Sequence, residues 1–201
     1  MKRFIETALL MVCLSGVCIC ALAEEKDQKP SDKPAVKTKK VEAGDITLAV
    51  PETWKQKAQV RDPRVAEFEV PPAGDDKESG EFVVFFFGKQ GAGGVQDNIK
   101  RWVGQIEEEG RKVRIVSGES ADGKYTLVDL TGAYNKSIGP PIARQTKRLP
   151  GWRVLNVVIE TRAGPYFLKL DGPEKTVSAI ENDFRASFGG KKEDEKEQKS
   201  E

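Results

Sequence analysis

The sequence contains no histidine, and its cysteines, Cys13, Cys18 and Cys20, all lie close to the N-terminus. Without histidine the chain has no His-based catalytic triad. If those cysteines are removed, it also has no thiol nucleophile and no His/Cys zinc site. Most common routes to catalysis at neutral pH are therefore closed. We predict a non-enzymatic protein that carries neither a metal nor a cofactor.

An excess of one charge is also missing, because 33 Lys and Arg residues face 32 Asp and Glu residues. General nucleic-acid binding needs a dense basic surface that neutralises phosphates. The balanced charge therefore argues against nucleic acid as a partner.

Long apolar runs are scarce, and the one at residues 8–19 follows a short basic start and precedes Ala21 and Ala23. This order is typical of a secretory signal peptide, here residues 1–23. The run is short for a membrane span of about 20 residues, although retention as an N-terminal anchor is the alternative. Lipid anchoring at Cys18 is not expected, because the residues before it do not match a lipoprotein signal. We predict export to the periplasm or outside the cell, with no stable membrane span after cleavage.

The two ends of the exported chain are rich in charge and poor in apolar residues. Such segments bury too little surface to offset the entropy lost on ordering. We therefore predict a disordered charged linker at residues 24–41 and a disordered charged tail at residues 189–201. Residues 42–188 then form a single domain, which is long enough for one core.

Within this domain, short apolar segments alternate with turns, and Asp122-Gly123 is a strong hairpin signal. One helix is predicted from Val95 and a second after Pro173, while residues 135–151 are predicted to be a polar loop. Strands are predicted at residues 46–50, 65–70, 81–87, 113–116, 125–134, 152–161 and 166–170. The predicted fold is α+β: an antiparallel sheet of about six to seven strands with two main helices packed on it.

The segments RVAEFEVP (64–71), VVFFFGKQGAGGVQDNIKRW (83–102) and PYFLKLDGPEKTV (165–177), together with Trp54, also carry a family resemblance. They resemble an uncharacterised family of small exported bacterial proteins that is similar to the PsbP-like superfamily. The resemblance implies an α/β/α sandwich and a non-catalytic role in docking on larger assemblies or protein partners. The metal-binding histidines of photosynthetic members have no counterpart in this chain, so no metal site is carried over.

The glycine-rich segment between the third strand and the first helix is the first candidate site. Lys89, Gly91, Gly93 and Gly94 lie where free backbone N–H groups and the helix dipole can hold an anion. The spacing matches neither a Walker loop nor GxGxxG. The alternative is a flexible turn in which the glycines relieve crowding.

The second candidate site is a local basic cluster formed by Arg144, Lys147, Arg148 and Arg153, close to Trp152. Basic groups beside an aromatic ring can bind an acidic peptide or polysaccharide. The predicted partner is accordingly another envelope protein or polymer. The alternative is a solvated loop.

We therefore predict a non-catalytic extracytoplasmic binding or accessory module. One alternative is a small hydrolase that uses carboxylates such as Glu67 and Glu69, since glycoside hydrolysis needs no histidine. Another is a carrier of an apolar ligand held between the sheet and the helices. A deep pocket with paired carboxylates would favour the hydrolase, and an apolar cavity would favour the carrier.

Overall fold

The computed structural model describes residues 36–139 and 145–198. The predicted signal peptide and all of the predicted linker before residue 36 lie outside these residues. So do residues 140–144, which include Arg144, and residues 199–201.

Alternating apolar and polar residues form most of the strands, as expected for half-buried sheet surfaces. The strands of the described residues are β1 Thr38–Ala43, β2 Ile46–Pro51, β3 Lys55–Gln56, β4 Arg64–Val70, β5 Gly80–Phe86, β6 Lys112–Glu119, β7 Lys124–Ile138, β8 Gln145–Thr161, β9 Gly164–Pro173 and β10 Lys196–Glu197. The helices are α1 Val95–Val103, α2 Glu174–Ala179 and α3 Glu181–Ser187, with a 3-10 helix at Lys192–Asp194. None of the helices in the described ranges is long and apolar enough to cross a membrane.

Eight strands form one antiparallel sheet in the order β10-β6-β7-β8-β9-β5-β4-β3, and β1 pairs with β2 in a separate two-stranded sheet. The consecutive strands β6 to β9 form a meander, and β9 then returns beside β5. This return joins the meander to β3, β4 and β5. It also places β8, β9 and β5 side by side in the middle of the sheet.

The predicted fold class is wrong. Of the described residues, 51% lie in strands and 16% in helices, so the domain is mainly β. The large sheet has eight strands instead of six to seven, and three short helices replace the two main ones. An α/β/α sandwich is also excluded, because a β-hairpin supplies part of the cover on one face of the sheet.

That hairpin consists of β1 and β2, and it packs with α2 and α3 against one face of the large sheet. Aromatic rings fill the space between them: Phe82 contacts Phe68, Trp54 and Phe184 at centroid distances of 5.4, 5.6 and 5.4 Å. This layer is the larger of the two apolar cores.

The opposite face carries α1, whose Ile99 and Trp102 pack on β7, β8 and β9. It also carries an extension of the β7–β8 hairpin, residues 134–138 paired with residues 145–149, which we call the β7–β8 arm. The arm occupies most of the segment that was predicted to be a polar loop. A register shift between Gly132 and Tyr134 sets the arm off from the rest of β7. The space between α1 and the arm is where the polar side chains of this face gather.

The predicted second helix is divided into α2 and α3. Pro173 is the N-cap residue of α2 instead of its first helical residue, and Ile180, with φ −118°, interrupts the helical backbone. Val177 and Phe184 still fall on one apolar face and are fully buried. The apolar periodicity of this segment therefore predicted its burial, but not the break.

Part of the charged segment that was predicted to be a disordered tail, as far as residue 198, lies within the described residues and contains β10. Lys196 and Glu197 of β10 pair with Ser117 and Val116 of β6. Glu195 buries its side chain completely and accepts hydrogen bonds from Nε and Nη2 of Arg185, at 2.8 and 3.1 Å. One buried carboxylate in a run of charged residues therefore fixes this segment to the domain.

Candidate functional site

Among the glycines of the first candidate site, Gly91 is required by the packing of a turn. Gly91 has φ +65°, and its N–H donates to the carbonyl of Gly88 at 3.0 Å. A β-carbon on Gly91 would lie 2.4 Å from Cγ of Pro165, at the start of β9. The left-handed backbone and the close approach both favour glycine here.

The same loop is held through its carbonyl groups. Asn98 is completely buried, and its Nδ2 donates to the carbonyls of Ala92, Gly93 and Gly94 at 3.2, 3.3 and 2.9 Å. Lys89 is exposed, and no ion pair or hydrogen bond of its side chain occurs with the described residues. The geometry thus gives no support to an anion site at this loop, although anion binding there stays a prediction.

The second candidate site is not one surface in the part of the chain that the structure describes. Arg148 forms a bidentate pair with Glu107, with both N–O distances at 2.8 Å. Arg153 donates to the two carboxylate oxygens of Asp129 at 2.9 and 2.7 Å, and also contacts Glu181. Lys147 lies exposed on the β7–β8 arm, and Arg144 lies outside the described residues. Two of the four predicted side chains are therefore already paired within the chain.

A different group of polar side chains meets between α1 and the β7–β8 arm, around Asp171 of β9. Asp171 is 1% exposed and accepts hydrogen bonds from Trp152 Nε1 at 3.2 Å and Lys136 Nζ at 2.7 Å. Lys136 also donates to Glu81 Oε2 at 3.0 Å. Burial raises the pKa of Glu81, but the charge and hydrogen bond of Lys136 outweigh this and lower the pKa to about 2. The result is a fixed ion network that links β5, β7 and β9.

Lys169 lies next to this network on the same face of β9. Its Nζ donates to the hydroxyl of Tyr134 and lies 3.6 Å from Oδ2 of Asp171. Burial lowers the pKa of Lys169, although the Asp171 carboxylate opposes the shift. Burial has the opposite effect on the Tyr134 hydroxyl, whose pKa it raises, because in both groups burial favours the uncharged form. The amine of Lys169 is therefore poised more towards its uncharged form than an exposed lysine.

A cavity of about 190 Å³ opens beside Lys169, between α1 and the sheet. We call it the α1 cavity, and its lining side chains include Phe85, Phe87, Trp102 and Phe167 with Arg101, Gln105, Asn156 and Lys169. The Phe167 ring contacts those of Phe87 and Trp102, at centroid distances of 5.6 and 6.4 Å. Phe87 is 43% exposed. The cavity is thus an aromatic slot, and one of its rings reaches solvent.

Asn156 contributes an unusual polar group to this slot. Asn156 is 1% exposed. Among the buried side-chain nitrogen and oxygen atoms of the described residues, its Nδ2 is the one that has no hydrogen-bond partner. An unpaired buried donor costs about 1–3 kcal/mol. Asn156 is directly opposite Lys169 in the β8–β9 register, so their β-carbons lie about 4.5–5.5 Å apart. Two side chains that can donate hydrogen bonds therefore adjoin at the polar end of the cavity.

A wider cleft of about 710 Å³ runs along the turns that follow β6 and β8. Its lining is mostly charged and small residues, with Ile46 as the large apolar side chain. Burial raises the pKa of Asp122 at this cleft. The exposed lining of this cleft is more polar than apolar, whereas that of the α1 cavity is mostly apolar, so we take the smaller α1 cavity as the candidate site.

The sequence-based interpretation missed the residues that form the α1 cavity's polar end. Asn156 interrupts the apolar strand sequence WRVLNVVIE, and a lone amide in a central strand is a usable signal. Lys169 and Asp171 alternate with Leu168 and Leu170 on β9, which by itself reads as an ordinary half-exposed strand. Only the pairing of β9 with β8 and β5 reveals that the face of β9 that carries Lys169 and Asp171 is covered.

Comparisons with known proteins add little to this geometry. No family model matches the chain, and no curated protein matches it. A solved structure of a protein of unknown function from Pseudomonas aeruginosa, described as a suggested regulator, is similar over 74% of this chain and 91% of that one. The identity is 16% and the TM-score 0.40, values too low to support an argument about fold or function.

Proposed function

We propose that this protein is an exported, non-catalytic binding module that takes a small, largely apolar ligand into the α1 cavity. The observation that carries the proposal is the buried Nδ2 of Asn156 in the wall of an aromatic slot. Binding sites combine mostly apolar walls with a few polar groups that fix orientation, and this cavity has that composition. The predicted partner, another envelope protein or polymer, stays a prediction.

The cavity volume limits the size of the ligand. An apolar cavity of about 150 Å³ accommodates benzene, so about 190 Å³ has room for one ring with a small substituent. Burying about 150 Å² of ring surface contributes at most about 4 kcal/mol, which corresponds to a dissociation constant near 1 mM. Hydrogen bonds at the polar end would tighten the binding of a substituted ring.

A non-catalytic role is supported by the state of the nearby carboxylates. Glu67 is 4% exposed and pairs with Lys57 and Arg64. Asp171 and Glu81 are both held by lysine. A hydrolase needs one carboxyl group that can donate a proton and a second that can attack or activate water. None of these three carboxylates lines the α1 cavity.

The proposal is tested by titrating the domain with phenol while NMR follows the Asn156 side-chain amide and the Trp102 indole. We expect saturable shifts of both signals at millimolar phenol. Phe87→Ser should weaken this binding at least fivefold by removing one wall. Ile138→Ser is the matched control, because Ile138 is a similarly exposed apolar residue, at 44%, that does not line the cavity. Unchanged signals for both groups would overturn the proposal.

A further inference from the structure

We propose that the α1 cavity selects an anion: a small carboxylic acid whose ring fills the aromatic slot and whose carboxylate lies between Asn156 and Lys169. This inference rests on the proposed function, because it names the chemical class of the ligand for the same cavity. It is argued from the charge and hydrogen-bonding character of the lining.

Every charged side chain that lines the cavity is basic. Arg101 and Lys169 carry positive charge, Asn156 and Gln105 contribute amides, and the lining contains no carboxylate from the described residues. A ligand with an amino group would meet two cations and find no counterion. A neutral ring without an acceptor would leave the Asn156 donor unpaired, and one with an acceptor would gain no charge attraction from the two cations. A carboxylate avoids both costs.

Lys169 has a donor available for such a ligand. An ammonium group has three N–H donors. One donates to the hydroxyl of Tyr134, and a second points towards Asp171, 3.6 Å away. The third can reach the cavity that Lys169 lines. Burial of a carboxylate is tolerated when it is both paired with a cation and hydrogen-bonded, and Lys169 and Asn156 supply these two requirements.

The surrounding charges do not oppose the ligand. The Asp171 carboxylate faces Lys169 but is held by Lys136 and Trp152, and Glu81 is held by Lys136. Arg101 of α1 adds a positive charge on the opposite wall of the cavity. Because burial lowers the pKa of Lys169, an entering carboxylate also stabilises the protonated amine and draws a proton onto it.

The decisive experiment compares ligands of one shape and different charge on the intact wild-type protein. Benzoate, benzamide and benzylamine are titrated, with phenol as the reference for the cavity itself, and the Asn156 side-chain amide is the NMR readout. We expect benzoate to bind at least tenfold tighter than benzamide and benzylamine to bind more weakly still. If benzamide binds as tightly as benzoate while phenol binds, the anion selectivity is wrong and the proposed function stands. If none of the four binds, both proposals fail.

A pair of variants assigns the selectivity to one side chain. Lys169→Met should weaken benzoate binding at least tenfold and weaken phenol binding by a clearly smaller factor, since a neutral hydroxyl gains no charge–charge attraction from the amine. Lys40→Met is the matched control and should leave benzoate binding unchanged, because Lys40 is exposed on β1 and does not line the cavity. Equal benzoate affinity of Lys169→Met and wild type would overturn the inference. If Lys169→Met fails to fold, the wild-type ligand series still decides.

Discussion

Replacing Glu195 by Gln should destabilise the domain, because it leaves a buried guanidinium without its counterion. Arg185 is 1% exposed, and Glu195 supplies it with hydrogen bonds of 2.8 and 3.1 Å while also accepting one from the Tyr125 hydroxyl at 3.2 Å. Breaking a buried ion pair from one side costs about 3–5 kcal/mol. Glu181 Oε2 remains 3.9 Å from the guanidinium and offers partial compensation. We therefore expect a loss near the lower limit, about 3 kcal/mol.

Urea unfolding followed by tryptophan fluorescence and circular dichroism measures this loss. For a domain of this size, about 3 kcal/mol corresponds to a fall in Tm of roughly 6–12 °C. Glu193→Gln is the matched control, since Glu193 is an exposed residue of the same segment. Its effect should stay within about 0.5 kcal/mol, as for most surface substitutions.

Two outcomes would refute this reasoning. Equal stability of Glu195→Gln and Glu193→Gln would mean that the C-terminal segment does not hold Arg185. The second test adds Arg185→Met to Glu195→Gln. The double variant should recover most of the free energy of unfolding that Glu195→Gln loses, because an apolar side chain replaces the buried charge. Failure to recover would place the cost in the lost packing of residues 191–198 instead of the ion pair.

Three further predictions follow from the same structure. Glu81→Gln should lower the free energy of unfolding by about 1.5 kcal/mol at pH 7, allowing for partial exposure, and by little near pH 2. The reason is that a carboxylate with a lowered pKa contributes its full stability above pH 4.5 and loses it as pH falls through about 2. Urea unfolding at both pH values checks this, and equal losses would contradict it. Gly91→Ala should destabilise the domain by at least about 1 kcal/mol more than Gly88→Ala. Both glycines have positive φ, but only a β-carbon at Gly91 would clash, with Pro165. Thermal unfolding of the two variants measures the difference in stability. Benzoate affinity should fall as pH rises towards 10.5, the ordinary pKa of lysine, because the bound form requires protonated Lys169, and a flat calorimetric profile would contradict this.

The strands were predictable where one face is apolar. Residues 46–50 and 125–134 alternate or are densely apolar, and both form strands, joined in the second case to β6 by the Asp122-Gly123 turn. Local periodicity and turn chemistry are sufficient there, because each strand must bury one face.

The β7–β8 arm was not predictable by the same reasoning. Its paired residues Lys136 and Lys147, and Ser137 and Thr146, have no apolar alternation, so the segment resembles a loop. The arm is instead stabilised by ion pairs to distant parts of the chain, such as Arg148 with Glu107. Sequence periodicity carries no information about such partners.

The candidate site was the least predictable part. In the sequence nothing connects Lys169 with Asn156, and only the antiparallel register of β8 and β9 places them opposite each other. For the predicted basic cluster, proximity in sequence gave no sign of the internal partners of Arg148 and Arg153. Composition could not indicate which polar groups the apolar cores would enclose.

The short strand β10 also covers one edge of the large sheet. It is the last strand of the large sheet and covers β6 at Ser117 and Val116, and Gln198 N–H adds a bond to the carbonyl of Ile115. An uncovered strand edge is a template for pairing between molecules. A protease that cuts after Gly190 would release this cover and free the edge of β6. Proteolytic removal of β10 would therefore expose a strand edge that can pair with a strand from a neighbouring chain.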